Sequence, residues 1–551
     1  MERFLGGLAR AACLVVFAMI FAACGGGGSN VPPAPILPAF GMKAAGLYVF
    51  NTGPGVSSPE IQVFVTNSKT GATHQAGSAA TGSGLGEIHF TMNGAFAYGL
   101  DGQGNVWGYR VDRNSGMLTK IGIVASGLPA TSRLFKVYGN KMVWVAGVTG
   151  EPGTETTTIY QYPIIAGGKL GAATDTTLAG DNPDAFIPPG SAIPNYVPTA
   201  VWTYQFTDFF HQLATLNVYP VNSDGAISGT SEQNVNGVPE LTLAEAPATF
   251  AYAISQGAPA QSLITFTVAA SGILTAASDV PLPGGSHFWA IGDNQTVPNV
   301  GGTIDLVDPF STPGQAQVLV YPVSSTGTVG AIIQNVSLLC GSAANRCYGT
   351  QFASNQTINA ESGPVPPIAV PAPSLWLFSN NVIDEYSMAS NGAINPTATS
   401  LAGGQEMLVL FPGQPLFSYG SGFSSGTIFA YGVSSAGALN SLGSFAGPPI
   451  PANSAEILNP FPANEFKRAP VALYVDAEPS ILPPIAGGSI LPPAPGGSIP
   501  PPTPGGSVTV LPIGANGLPS STTPLATINV PHGLPEPYVI LNNGFVASGT
   551  F

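Results

Sequence analysis

The chain has 551 residues, of which 8% are charged and 44% are hydrophobic, and its formal net charge is −14. Charged residues usually make up about a quarter of a soluble domain, so uncharged polar side chains must cover most of this protein's surface. No Lys or Arg occurs from Leu170 to Asn345, which argues against a nucleic-acid partner and against binding of the folded body to anionic lipid.

The first 23 residues have the pattern of a secretory signal. Arg3 and Arg10 precede an apolar run from Ala11 to Ala23. This run is shorter than the roughly 20 residues of a membrane-spanning helix. The string Phe21-Ala22-Ala23-Cys24 resembles the processing site of bacterial lipoproteins. The alternatives are an uncleaved membrane anchor and an ordinary secretory signal cut near Ala23.

The lipoprotein resemblance implies that residues 1–23 are removed and that Cys24 carries the lipid. Residues 24–39 then form a Gly- and Pro-rich tether, flexible over Gly25 to Gly28 and stiffer over Val31 to Pro38. Because Gly rather than Asp follows Cys24, the resemblance implies the outer membrane, with the body facing the periplasm or the cell surface.

One recurring pattern organises residues 40–551. In each copy a strand ending in aromatic and aliphatic residues is followed by a polar turn, by a second strand, and by a Gly a few residues later. The nine copies are marked by these strand pairs: Leu47-Tyr48-Val49 with Val63-Phe64, Phe96-Ala97-Tyr98 with Tyr109, Val143-Trp144-Val145 with Tyr162, Val201-Trp202 with Tyr219, Phe250-Ala251-Tyr252 with Phe266, Phe288-Trp289-Ala290 with Tyr321, Leu375-Trp376-Leu377 with Tyr386, Phe417-Ser418-Tyr419 with Tyr431, and Leu473-Tyr474-Val475 with Leu511.

The copies predict small antiparallel sheets. Aromatic and β-branched residues suit a pleated strand with a buried face, and most copies lie about 45 to 57 residues apart, near the period of propeller blades. The repeats resemble lactonase-like β-propellers, whose strands carry a Tyr-Val-x-Asn motif; Leu47-Tyr48-Val49-Phe50-Asn51 is the nearest match. We therefore expect an all-β chain forming one large β-propeller of four-stranded blades, with eight or nine blades favoured and seven as the alternative. The tail from Tyr538 to Val546 is expected to complete the sheet begun near residue 45.

Two segments interrupt the repeat. Residues 334–373 contain Cys340 and Cys347, which predict a disulfide in an exported protein; a redox or metal pair is the alternative, although no His, Asp or Glu lies between them. Residues 480–507 hold three Pro- and Gly-rich copies of a nine-residue repeat. This segment predicts a projecting loop, either without a role or as a partner-binding arm.

The residues able to carry chemistry form no recognisable catalytic set. Gly422-Phe423-Ser424-Ser425-Gly426 has nucleophile-elbow spacing but no strand-turn-helix context. The five His have no metal-binding spacing and are expected in turns or packed strands: His74, His89, His211, His287 and His532. Three acidic groups are expected to be solvated turn residues, the first also offering oxygen atoms to Ca²⁺: Asp101 to Asn105, Asp305 with Asp308, and Asp384 with Glu385.

These observations favour a non-catalytic role. We expect an exported, membrane-anchored lipoprotein that acts as a binding or scaffold module of the cell envelope, with a protein or glycan partner. No cofactor is expected, a divalent cation such as Ca²⁺ being the exception, and no metal ligands are assigned. The family resemblance implies the alternative, a lactonase-like hydrolase with an acidic central channel, although none of the family's site residues can be matched here. A purely structural envelope protein is a third interpretation.

Overall fold

The computed structural model describes residues 42–548 with gaps. Contacts within the chain separate Met1–Ala39 from Phe40–Phe551, and every described strand belongs to the second unit. The segments outside the description are 1–41, 54–55, 68–69, 92, 130, 151–153, 187–197, 209–212, 239–241, 244–249, 256–260, 284–289, 298–300, 313, 325–326, 341–348, 354–373, 380–381, 390–391, 404–408, 412–415, 422–426, 435–437, 447–454, 459–471, 478–505, 531–534, 542–545 and 549–551.

The described residues form nine antiparallel sheets and one 3-10 turn at Ala166–Gly168. Sheet 1 contains β1 (Met42–Asn51), β2 (Glu60–Thr66), β3 (Thr73–Ala80), β36 (Pro535–Leu541) and β37 (Val546–Ser548). Sheets 2 to 4 contain β4 (His89–Phe90), β5 (Phe96–Leu100), β6 (Val106–Val111), β7 (Leu118–Ala125); β8 (Ser132–Tyr138), β9 (Met142–Thr149), β10 (Thr156–Pro163), β11 (Thr174–Ala179); and β12 (Asp181–Phe186), β13 (Ala200–Asp208), β14 (Leu213–Pro220), β15 (Gln233–Val238).

Sheets 5 to 9 repeat this arrangement of four consecutive strands. They contain β16 (Thr242–Leu243), β17 (Phe250–Ser255), β18 (Ser262–Val268), β19 (Leu274–Pro281); β20 (Ala290–Val297), β21 (Gly301–Thr312), β22 (Gln315–Val323), β23 (Gln334–Leu339); β24 (Gly349–Ala353), β25 (Ser374–Ser379), β26 (Val382–Ser387), β27 (Thr399–Ala402); β28 (Val409–Phe411), β29 (Leu416–Ser421), β30 (Thr427–Val433), β31 (Leu439–Ala446); and β32 (Ala455–Leu458), β33 (Ala472–Ala477), β34 (Gly506–Pro512), β35 (Ala526–Val530).

The ends of the chain meet in sheet 1, whose strand order is β3-β2-β1-β36-β37. Strand β36 pairs with β1 from Met42 opposite Leu541 to Val49 opposite Pro535. The predicted completion of the first sheet by the tail is therefore confirmed. Strands β23 and β24 fall inside the segment 334–373, so regular sheet structure occupies part of the predicted insertion.

The repeat pattern marks a common register. Strand β36 counts as the first strand of sheet 1, so β1 is its second strand and β2 its third. In eight sheets an aromatic residue of the second strand pairs with the equivalent residue of the third strand: Tyr48 opposite Val63, Tyr98 opposite Gly108, Trp144 opposite Gln161, Trp202 opposite Val218, Tyr252 opposite Thr265, Trp376 opposite Glu385, Tyr419 opposite Ala430 and Tyr474 opposite Val510. In sheet 6 this position is Asp305, opposite Val320. The predicted marker Phe288-Trp289-Ala290 is wrong, since Ala290 begins the first strand of that sheet.

Consecutive sheets bury apolar side chains between them. Tyr48 of sheet 1 shares a core with Tyr109 of sheet 2, and Trp202 of sheet 4 shares one with Phe266 of sheet 5. Equivalent clusters join sheets 2 with 3, 3 with 4, 5 with 6, 6 with 7, 7 with 8, and 9 with 1. Strand β29 of sheet 8 also contacts β32 of sheet 9. Burial of aromatic and aliphatic area at these seams is the main source of stability.

A second kind of contact crosses the same seams. A tyrosine, tryptophan or threonine of one sheet donates a hydrogen bond to the repeat Gly in the turn between the third and fourth strands of the next sheet. We call such contacts latches: Tyr48 to the Gly116 carbonyl at 2.7 Å, Tyr98 to Gly168 at 3.0 Å, Trp202 to Gly272 at 3.1 Å and Thr265 to Gly327 at 2.8 Å. The glycines have positive φ, such as 71° at Gly116, which other residues adopt only at a cost.

Amide and carboxylate side chains form latches to the same turns. The Gln233 side chain binds both backbone groups of Leu274 at 2.6 and 2.8 Å, and Gln334 binds those of Ile394 at 2.8 and 2.6 Å. Gln161 donates to the Gly225 carbonyl and accepts from the Ile227 amide. The latches therefore satisfy backbone groups that these turns would otherwise bury unpaired.

Candidate functional site

Glu87 and His89 form an acid–imidazole pair at the first strand of sheet 2. His89 begins β4, and Glu87 lies two residues before it. In extended backbone, residues two apart point to the same face, so the Glu-Ile-His sequence brings the two side chains together. Strand β4 also approaches β37 of sheet 1 and β8 of sheet 3, so the pair lies where three sheets come close.

The pair has an ion-pair geometry. The Nε2 atom of His89 lies 3.5 Å from the Oε1 atom of Glu87, and the side chains are 29% and 51% exposed, respectively. Burial disfavours the ionised carboxylate, but the hydrogen bond and charge of His89 outweigh that effect, and the pKa of Glu87 lies below its usual range. A partly exposed carboxylate and imidazole in contact can bind a hydroxyl-bearing ligand or move a proton.

The sequence analysis does not identify this pair, because it considers the His residues as metal ligands, turn residues or packed-strand residues. The signal that could have found it is the spacing of two between Glu87 and His89. His74, the other described His, is exposed on β3. The remaining three, His211, His287 and His532, lie outside the described residues, as does Ser424.

The Asp101 turn is a structural element. Its carboxylate accepts hydrogen bonds from the backbone amides of Gln103 and Asn105, both at 2.9 Å, and from Trp107 Nε1 at 2.7 Å. The Asn105 side-chain amide also donates to both oxygens, at 3.2 and 3.0 Å. Because four donor groups surround this carboxylate, it stabilises the turn and is a poor ligand for Ca²⁺.

The other acidic groups are not solvated turn residues, contrary to the sequence-based expectation. Asp305 and Asp308 are buried in β21, with 0% and 1% exposure, and Asp384 and Glu385 are buried in β26. Asp384 accepts a hydrogen bond from Ser400. A strand position that faces the neighbouring sheet explains this burial, and composition alone does not distinguish it from a turn.

Glu385 is the acidic latch of the series. Its carboxylate accepts hydrogen bonds from the Leu439 amide at 3.0 and 3.3 Å and from Trp376 Nε1 at 3.3 Å. Burial raises the pKa of Glu385, and these hydrogen bonds only partly oppose it. Gln161 holds the same register position in sheet 3, opposite Trp144. A neutral amide therefore serves at one seam where a carboxyl serves at another.

Replacing Glu385 by Gln is expected to stabilise the protein at neutral pH, by about 1 kcal/mol, the scale of one buried hydrogen bond. With the folded-state pKa raised, stability is highest below the ordinary Glu value and falls as pH rises through the folded value. The gain from Glu385→Gln should therefore grow with pH and vanish near pH 4. Thermal melts across this range measure it.

The reverse change in sheet 3, Gln161→Glu, is the matched control. It should lower the melting temperature at neutral pH and approach the wild-type value in acid. A gain from Glu385→Gln that is the same at every pH would contradict the assignment of Glu385 as a titrating latch.

The cysteines are only partly within the described residues. Cys340 is fully buried directly after β23, and its Sγ atom lies 3.7 Å from the Phe378 carbonyl oxygen. Cys347 and Cys24 lie outside the described residues, so the disulfide and the lipidation stay predictions. Within the described ranges, no three His, Cys, Asp or Glu side chains group as metal ligands.

In the part of the chain that the structure describes, no helix has the length and apolar character needed to cross a bilayer.

Comparison with known proteins yields structural neighbours only. No protein-family model and no curated protein matches the sequence. Similar solved structures include a periplasmic gluconolactonase of Pseudomonas aeruginosa (14% identity, TM-score 0.31, covering 65% of this chain and 96% of that chain). A 6-phosphogluconolactonase candidate from Bacteroides uniformis (17%, 0.30, 65% and 97%) and a eukaryotic initiation factor (9%, 0.38, 89% and 99%) are also similar. The neighbours thus include lactonase-like proteins, at levels of similarity that leave this chain's activity open.

Proposed function

We propose that the chain is an exported lipoprotein whose body is one nine-bladed β-propeller, and that it acts as a non-catalytic binding or scaffold module of the cell envelope. The nine described sheets would be the blades. The apolar seams between consecutive sheets and the pairing of β1 with β36 support a closed ring. In such a ring the fourth strands, exposed in β7 and β19 for example, form the rim, and the first strands line the channel.

The observation that carries a binding role is the use of polar side chains at the seams, of which Gln161 and Glu385 are buried and Gln233 and Gln334 are half-buried. Gln161, Gln233, Gln334 and Glu385 each bind the backbone of the adjacent sheet. Polar groups that bind the backbone of the next sheet hold neighbouring sheets rigidly together. Recognition of a partner then falls to surface loops and turns. A rigid ring with surface loops suits contacts with protein or glycan partners.

A lactonase-like hydrolase is the second candidate, and the Glu87–His89 pair favours it. The pair lies on a first strand, which would line the channel of the proposed ring. An imidazole held by a carboxylate can activate water against a lactone carbonyl, and the lactonase names of two neighbours agree with that chemistry without carrying it to this chain.

Ligand screening separates the two candidates. The soluble body, starting at Gly25, is melted with lactones, glycans, peptidoglycan fragments and divalent cations, and lactone hydrolysis is followed at the same time. The proposal expects a shift with a glycan or peptide and no hydrolysis. Hydrolysis that disappears in His89→Asn would instead establish the enzyme.

The membrane anchor is tested separately. Radioactive palmitate should label the wild-type chain expressed in a Gram-negative host and should not label Cys24→Ala. Label retained in the variant, or absent from both, would reject lipidation at this residue.

A further inference from the structure

The cationic residues of the body lie close together in the sequence. Two of the 14 Lys and Arg residues belong to the predicted signal, and nine of the other twelve lie between Lys43 and Lys169. That interval is sheets 1 to 3. Within that interval they belong to different strands and turns, so the strand order decides which of them come together.

Strand order places most of them at one end of these sheets. We call the end of the sheets at which β1 starts, at Met42, the tether-side end. Strand β2 is antiparallel to β1 and ends there, so the turn between β2 and β3 lies at this end, as do the equivalent turns between the third and fourth strands of the other sheets. Arg110 is the next-to-last residue of β6 and Arg113 lies in the turn after it. Lys141 lies between β8 and β9, and Lys169 lies in the turn that follows β10.

Hydrogen bonds between sheets join these turns into one surface. Tyr48 of sheet 1 donates to the Gly116 carbonyl in the turn that contains Arg113. Tyr98 of sheet 2 donates to the Gly168 carbonyl, beside Lys169. The Asn93 amide donates to Asn140 Oδ1 at 2.9 Å, beside Lys141. The turns of sheets 2 and 3 are thus in direct contact.

The cations at this end are available to a ligand. Arg110, Arg113, Lys141 and Lys169 are exposed, and in the described part of the chain the ion pair that forms is Glu87 with His89. Lys120 lies nearby, its Nζ atom 4.5 Å from the centre of the Trp107 ring.

Few carboxylates oppose them. Asp112 shares the turn with Arg113, accepting hydrogen bonds from the Asn114 amide and the Ser115 hydroxyl, both at 2.9 Å. Asp175 lies near the start of β11. The corresponding turn of sheet 4 carries Asp224 instead of a cation, so the basic surface ends there.

An apolar side chain stands within the basic surface. Ile165 is 49% exposed in the same turn as Lys169. The turn residue Gly167 has no heavy atom of another residue within 4 Å of the position of a Cβ atom. An exposed isoleucine in a turn that also carries a cation is typical of surfaces that lie on an anionic bilayer, because the apolar group enters the interface and the cations bind head groups.

We propose that the tether-side end of sheets 2 and 3 binds an anionic membrane surface. This proposal departs from the sequence-based expectation that the body does not bind anionic lipid, because pairing of the strands brings to one end cations that the sequence spreads over some 60 residues. The proposal rests on the body alone and not on the predicted lipid anchor.

Vesicle binding tests the proposal on the unlipidated body starting at Gly25. We expect sedimentation with vesicles of phosphatidylcholine containing phosphatidylglycerol, none with phosphatidylcholine alone, and loss of binding as NaCl rises from about 0.05 to 0.5 M. The variant Arg110→Gln/Arg113→Gln/Lys141→Gln/Lys169→Gln should bind at least about tenfold more weakly. Circular dichroism confirms that it is folded.

Two isoleucines provide a matched pair. Ile165→Ser should weaken vesicle binding several-fold, whereas Ile123→Ser should not, because Ile123 is equally exposed, at 53%, but lies towards the far end of β7. Equal binding to neutral and anionic vesicles, no binding by the wild type, or wild-type binding by the folded fourfold variant would overturn the proposal. Tighter binding to single-stranded DNA than to vesicles would overturn it in favour of a nucleic-acid surface. Palmitate labelling of Cys24 is independent of these outcomes.

Discussion

A chain that ends at Val530 is expected to lose its cooperative thermal transition. The truncation removes β36, which pairs with β1 over seven positions, and so exposes the edge of a strand whose residues Leu47, Tyr48, Val49 and Phe50 are completely buried. Unpaired edge hydrogen bonds and open apolar seams on both faces of sheet 1 together exceed the roughly 5–15 kcal/mol that stabilises a typical domain. Melting of the soluble body, followed by circular dichroism and limited proteolysis, measures the effect.

The control for this truncation is a chain that ends at Ser548. It keeps β36 and β37 and should melt like the full-length body. If the chain ending at Val530 melts within a few degrees of these two, the pairing of β36 with β1 is not needed for stability, and the proposed closed ring fails with it.

Trp202→Ala is expected to destabilise the protein by about 3–5 kcal/mol, the usual cost of removing a buried indole. Trp202 is 1% exposed, it packs at the seam between sheets 4 and 5, and its Nε1 donates the latch to the Gly272 carbonyl. The substitution leaves a cavity and an unpaired carbonyl at the same seam. Chemical denaturation measures the loss, with the dependence of the unfolding free energy on denaturant concentration expected to stay unchanged.

Conservative changes at Trp202 separate packing from the latch. Trp202→Phe retains most of the apolar contact and loses the donor, so about 1–2 kcal/mol should be lost. Trp202→Tyr restores a donor of the kind that Tyr48 and Tyr98 use in sheets 1 and 2, and it should recover part of that loss. Equal stability of the Phe variant and the wild type would show that the latch contributes nothing measurable.

Much of the strand pattern could be predicted because aromatic residues recur at equivalent positions of the repeat. Eight of the nine second-strand markers lie where the pattern places them, since an aromatic side chain between two packed sheets is under the same steric demand in each copy. Sheet 6 is the exception because Asp305 occupies the aromatic position. The nearest aromatic string, Phe288-Trp289-Ala290, therefore predicts the wrong strand.

The candidate site and the basic surface were harder to predict for a different reason. Glu87 and His89 are in contact in the folded chain, and nothing in composition marks that pair. The cations of the tether-side end come from four separate turns and strand ends, from Arg110 to Lys169. Only the antiparallel pairing, which reverses the chain several times within that interval, brings them to one end.

The latches also impose an order on folding during synthesis. In each of these latches the acceptor lies later in the chain than its donor, by 68 residues for Tyr48 and Gly116, 70 for Trp202 and Gly272, and 62 for Thr265 and Gly327. A sheet that leaves the ribosome or a translocation channel thus waits for about one further repeat before its seam can close. Sheet 1 waits longest, because its edge at β1 stays open until residues 535–541 arrive. During most of its synthesis the nascent protein therefore exposes the unpaired edge of β1. A chaperone that binds unfolded chains would be most useful at that edge.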